Sequence, residues 1–265
     1  MAYPRSPGST AALEGGRLSH GARKDRDVSP VEYLFIFVVL AAAAAVQGGL
    51  GFGMNLMAAP LVALVDPRLV PGPLLVAAVA ITLLVGIRDR SDVDWNGFSW
   101  ILAGRLPGTL LGALVVASVS ASGVAIAVGI TVLLAVLLNL VELGLTPKPG
   151  ILLGAGAVSG FSGTISSIGG PPLAVVYAGQ RGPVIRGTLS AVFVVGGLLS
   201  LASLTVVGRM GQSELAMSAV LVPPVVLGFS LSRRIAAHLD DGRTRAAVLS
   251  VSVLGAIAVI AAEVA

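Results

Sequence analysis

Two stretches of the chain could hold a small ligand without using a charged side chain of their own. "QGGLGFGMN" spans 47–55 and "GFSGTISSIGGPP" spans 160–172, each inside a long apolar segment. Glycine and proline disfavour helix at such places. A helix that begins just after a break presents N–H groups with no intrahelical partner and the positive end of its dipole. Helix starts of this kind bind anions. The candidate binding residues are Gln47, Gly51, Phe52, Gly53, Met54 and Asn55 at the first break. At the second they are Gly163, Thr164, Ile165, Ser166, Ser167 and Gly169. Hydroxyl and amide groups there add donors without adding fixed charge.

One cation stands apart. Arg105, in "WILAGRLPGTLLG", lies within an apolar segment, and the nearest acidic residues, Asp92 and Asp94, precede that segment. A buried arginine costs from about 3 kcal/mol upward in a bilayer unless it is paired or faces water. Two readings are open: Arg105 balances the charge of a bound anion, or it snorkels to the interface.

The elements that position these residues follow from composition. The chain has 265 residues, of which 55% are hydrophobic and 11% charged, whereas soluble domains carry about 25% charged residues. Val31 to Leu50, Gly123 to Val141 and Ala246 to Ala262 approach or exceed the length that crosses a bilayer. This is the composition of an all-α polytopic membrane protein. Cysteine is absent, so disulfides and thiolate sites are excluded. His20 and His238 fall in polar segments, which leaves intramembrane serines without an imidazole base. No metal, cofactor or enzymatic chemistry is implied. The formal charge of +4 fits basic membrane loops and requires no nucleic acid.

The chain also repeats. A shift of 112 places Val46, Gly48, Gly51, Pro60 and Leu61 on Val158, Gly160, Gly163, Pro172 and Leu173, and a shift of 116 places Pro107, Leu111 and Gly112 on Pro223, Leu227 and Gly228. At the latter shift Arg105 falls on Leu221. We read residues 1–29 as a disordered tail, 30–145 as a first membrane repeat and 146–265 as a second. A cleaved signal peptide over Val31 to Gly49 is disfavoured because the repeat begins inside it. Each copy predicts a long helix, a short one and three more. The first set falls near 31–50, 54–65, 70–87, 98–119 and 122–142; the second near 150–165, 167–178, 184–207, 214–232 and 244–262. Five crossings per copy would invert the second copy relative to the first. Short broken helices would then meet near the midplane, where secondary transporters bind substrate. Irregular backbone at that depth requires a cavity or a protein surround. Gly104, Gly108, Gly112, Gly196 and Gly197 read instead as close-packing positions.

Loop charge sets nine basic residues, among them Arg88, Lys148 and Arg186, against Arg68 and Arg209. The first set reads as cytoplasmic, with both termini outside.

The two breaks resemble those of the TauE/SafE sulfite exporter family. "GFSGTISSIGGPPL" and "IRGTLSA" (Ile185 to Ala191) match its second-half motif, and "QGGLGFGMNLMAAPL" matches the first more loosely, with Met54, Asn55 and Met57 where glycines are usual. The resemblance implies export of sulfite or small sulfonates such as sulfoacetate. The expectation is a multi-pass exporter of the cell (inner) membrane that moves small sulfur oxyanions by alternating access. An anion channel and an importer of sulfate or thiosulfate are the alternatives, and an intramembrane enzyme is disfavoured. The implied partners are the anion and the lipid bilayer, and the sequence is compatible with a homo-oligomer.

Overall fold

The computed structural model describes residues 29–141, 143–239 and 242–264, so residues 1–28 of the expected tail lie outside it. Ten α-helices and no strand occur among the described residues: α1 (Pro30–Leu50), α2 (Met54–Val65), α3 (Gly72–Arg88), α4 (Trp95–Ser118), α5 (Ala121–Leu140), α6 (Pro149–Ser166), α7 (Gly170–Tyr177), α8 (Gly182–Val206), α9 (Gln212–Leu239) and α10 (Gly242–Val264). The starts obey local chemistry. Ser29 and Glu32 form a capping box ahead of α1, Asp94 accepts from the Gly97 N–H at the start of α4, and Ser120 accepts from Gly123 at the start of α5.

Six helices (α1, α4, α5, α8, α9 and α10) are long and apolar enough to cross a membrane. Their outward faces are apolar: Leu106, Leu110, Leu111 and Leu114 on α4, and Leu134, Leu137 and Leu140 on α5, are exposed. Serines, threonines and Arg105 are buried instead. That polarity suits lipid outside and a polar centre, and it makes the chain a multi-pass membrane protein. α2 has 12 residues, α7 has 8 and α3 has 17, so none of these three reaches the length of those six.

The first break falls where the sequence places it; at the second, α6 ends one residue later and α7 starts three residues later than expected. α1 continues through Gln47 to Leu50, and only 51–53 leave the helix; α6 continues through Ser166, and only 167–169 do. Gly51 and Gly53 turn the chain at φ 89° and 110°, in the left-handed region where a Cβ is strained, and Ser167 makes the matching turn at φ 63°. The turns also correct the register. From Leu50 to Ser166 and from Met54 to Gly170 the shift is 116, one helical turn more than the 112 read from the glycines and prolines. This is the shift that relates Pro107 to Pro223.

Helix packing follows the same exchange of halves. α1 packs on α9 as α6 packs on α4; α3 lies on α9 as α8 lies on α4; α2 meets α10 as α7 meets α5; and α3–α8 and α5–α10 pair across the halves. The tightest of these interfaces, α4 on α6, explains the glycine spacing. A Cβ at Gly104, Gly108 or Gly112 would strike the carbonyl of Leu153, Ala157 or Phe161, and one at Gly156 or Gly160 would strike that of Ile101 or Arg105. Small residues four apart let two backbones touch, which in lipid is the main source of helix association. Two positions on α6 test this. Gly156→Ala should destabilise by about 1–3 kcal/mol through overpacking, whereas Gly154→Ala meets nothing within 4 Å and should leave the thermal midpoint in detergent unchanged or raised.

Candidate anion-binding site

Arg105 is the eleventh of the 24 residues of α4, and it is 2% exposed. It does not snorkel; the leucines beside it on the helix face outward while it faces in. Ser159 of α6 accepts a hydrogen bond from its Nη1 at 2.6 Å and passes its own proton to the carbonyl of Gly169, also at 2.6 Å. The guanidinium is thereby tied to the second break. Phe193 of α8 covers it, with the ring centroid 5.5 Å from Cζ. Among the described residues no carboxylate pairs with it, and its Nε has no acceptor.

Glycines make the space. A Cβ at Gly196 would collide with Arg105 Nε, and one at Gly163 or Gly169 would stand 3.1 Å from Nη2 or Nη1. Gly196 is thus more than the packing residue its sequence suggests; it clears room for the cation. The opening beside the guanidinium is a cavity of about 50 Å³, larger than a single water needs. Both breaks reach it.

Of the thirteen candidates, Gln47, Phe52, Gly53, Asn55, Arg105, Gly163, Ser167 and Gly169 line this cavity. The other five do not. Gly51 abuts the start of α8 at Arg186. Met54 and Ile165 are packed in apolar clusters. Thr164 turns toward Ser200 of α8 and the carbonyl of Gly160, and Ser166 bonds the carbonyl of Ser162 and the N–H of Ile168. The reason is common to the last three: they lie in the last turn of α6, so their side chains obey helix geometry and not the break.

The donors also differ from expectation. The hydroxyl of Ser167 donates to the carbonyl of Pro71, so all three hydroxyls of 164, 166 and 167 are engaged with backbone carbonyls. Gln47 accepts from the Met54 N–H, and the Asn55 amide donates to the carbonyl of Ser167 at 2.7 Å, joining the two breaks. Pro171 and Pro172 remove two N–H groups from the start of α7. The N–H groups of Gly53 and Gly169 make no bond among the described residues. Arg105 therefore becomes the principal free donor.

Sequence reasoning missed Ser159, Phe193, Gly196 and the face of α3 at Leu75, Ala78, Val79 and Thr82. Ser159 lay one residue outside the stretch that was singled out. The α3 face carries no signal, being apolar apart from one threonine.

A second network lies toward one end of the bundle. Asp89, after α3, accepts from Arg88 at 2.8 Å and from Arg186 of α8 at 2.9 Å. Asp94 accepts from Tyr177 of α7, and its N–H donates to the Thr188 hydroxyl. The loop between α3 and α4 is thus bolted to the end of α7 and the start of α8.

An all-helical membrane protein with two broken helices around a buried, uncompensated cation defines the class. The sequence model of the family described as Sulfite exporter TauE/SafE matches residues 35–259. The chain belongs to that family of membrane transporters. Comparison with curated proteins and with solved structures gave no match.

The clearance around the cation is testable. Gly196→Ala should push the guanidinium off Ser159 and lower anion affinity at least tenfold with little change in expression. Ser166→Ala, which removes only bonds within its own helix end, should bind anions within about threefold of the parent. Isothermal titration with sulfite on the purified protein distinguishes the two.

Proposed function

We propose that this protein carries a small sulfur-containing oxyanion, sulfite or a sulfonate, out of the cytoplasm across the cell membrane. One observation carries the reading: Arg105 is buried at mid-helix without a counter-charge, beside a cavity reached by both breaks. A charge so placed is costly, and a bound anion removes that cost. The guanidinium offers planar, paired donors suited to oxyanions. Small size and backbone donors suit a compact head group.

Transport requires that the cavity open to each side in turn. We read the two halves as inverted repeats, in support of which the break register and the helix packing exchange at one shift. The Asp89–Arg186 and Asp94–Tyr177 contacts join elements of different halves at one end, and we assign them as the closed cytoplasmic gate. At the other end Gly72 packs on Met210 and Arg209, an apolar closure. An inside-negative potential favours anion export by about 2.3 kcal/mol per charge per 100 mV, so no coupling ion is needed.

The site is tested by replacing its charge. Arg105→Leu, which copies the residue at Leu221, should fold at least as well as the parent, because a costly buried charge is gone. Sulfite efflux from proteoliposomes under an inside-negative potential should then fall at least a hundredfold. Arg105→Lys keeps the charge and loses the fork, and should retain weak efflux. Normal efflux by Arg105→Leu would refute the assignment.

The gate is tested by Asp89. Burial opposes its carboxylate, but the hydrogen bonds and charges of Arg88 and Arg186 outweigh burial and hold its carboxyl below the ordinary value of 3.8. A group depressed in the folded state contributes stability above its unfolded pKa, and that contribution is lost as pH falls through the folded value. The latch therefore persists at neutral pH and weakens only in acid below 3.8. Asp89→Asn should weaken it at neutral pH. In Thr82→Cys, a probe in a chain without native cysteine, the Asp89→Asn change should speed labelling by an impermeant thiol reagent from the cytoplasmic side severalfold.

A further inference from the structure

The charge count of the cavity restricts which anion it can take. Arg105 is the one ionised side chain among the described residues that line it. The nearest other cations, Arg88 and Arg186, share the carboxylate of Asp89 near the end of the bundle and do not line the cavity. Much of the remaining wall is apolar, with Phe52, Leu56, Leu75, Val79 and Pro171. Most side-chain polar groups in it are committed: Thr82 donates to carbonyls of its own helix, the Ser167 hydroxyl to Pro71 and the Asn55 amide to Ser167, which leaves the neutral N–H groups of Gly53, Gly169 and the Gln47 amide beside the guanidinium. What Asn55 has left is its Oδ1, an acceptor without a partner, which repels an anionic oxygen.

We propose that the cavity selects anions bearing a single charge, with a sulfur–oxygen head at Arg105 and an uncharged remainder against the apolar wall. The proposal rests on the reading of Arg105 as the anion's partner. Inside a low-dielectric site one guanidinium neutralises one negative charge, and a second negative charge is left desolvated and unpaired. A dianion that carries a carboxylate beyond its sulfonate would place that carboxylate on Leu75 and Val79, or against Asn55 Oδ1. A hydrogensulfite ion or a short alkanesulfonate meets no such penalty. The loaded site is then electrically neutral.

The test compares sulfoacetate with its carboxamide, which has the same skeleton and keeps only the sulfonate charge, and with ethanesulfonate. Affinities are measured by titration calorimetry on the purified full chain at pH 7 and constant ionic strength, in the parent and in Arg105→Leu. The expected result is that the two monoanions bind the parent at least tenfold more tightly than sulfoacetate and lose that binding in Arg105→Leu. If sulfoacetate binds as tightly as its amide while Arg105→Leu abolishes both, selection by charge is overturned and the anion site stands. If Arg105→Leu binds all three like the parent, the site itself is refuted, and the proposal with it; failure of the parent to bind any of the three refutes both as well. Should Arg105→Leu not fold, Arg105→Lys takes its place: a weaker but preserved preference for the monoanions supports the proposal, and loss of the preference with binding retained overturns it.

Discussion

A guanidinium held within a membrane bundle with no carboxylate partner among the described residues is the constraint on which the rest of this protein depends. An unpaired cation at that depth is unfavourable by several kcal/mol, and the surrounding structure makes it tolerable only in part. The Ser159 hydroxyl accepts one of its hydrogen bonds and donates in turn to the Gly169 carbonyl, and the ring of Phe193 covers it. Nε has no acceptor. What is left over is an uncompensated positive charge in a place with room beside it.

Room is created by the absence of side chains. Gly163, Gly169 and Gly196 surround the guanidinium where a single methyl group would crowd it, and the Gly104, Gly108, Gly112 row lets α4 lie against α6 closely enough for Arg105 to reach Ser159. The two breaks then end the helices at the cavity instead of passing it by. Asn55 reaches across to the Ser167 carbonyl and Ser167 to that of Pro71, so the turns brace one another. Their side-chain donors hold the architecture, and the cation keeps nitrogens without a protein acceptor.

The membrane class, the ten-helix plan and both breaks were legible in the sequence because apolar length and glycine–proline punctuation are local signals. The family was legible too, from "GFSGTISSIGGPPL" and "IRGTLSA". Arg105 stood out as a lone charge, but its sequence could not distinguish a ligand partner from an interfacial snorkeler; burial between α4, α6 and α8 excludes the snorkeler. Thr164, Ile165 and Ser166 were misread because glycine-rich segments can remain helical when packed against another glycine-rich helix. The repeat register read from the glycines and prolines slipped by one helical turn. Gly196, Phe193 and the α3 face come from elements with ordinary apolar sequences. Only tertiary packing brings them to the cavity.

The most direct measurement of the central claim is a structure determined by electron microscopy with sulfite present. A pyramidal anion should lie within hydrogen-bonding distance of the free guanidinium nitrogens of Arg105, between Gly53 of the first break and Gly169 of the second, with Phe193 closing over it. Density for the anion away from Arg105, or an Arg105 side chain turned to a lipid headgroup with the cavity empty at saturating sulfite, would contradict the account.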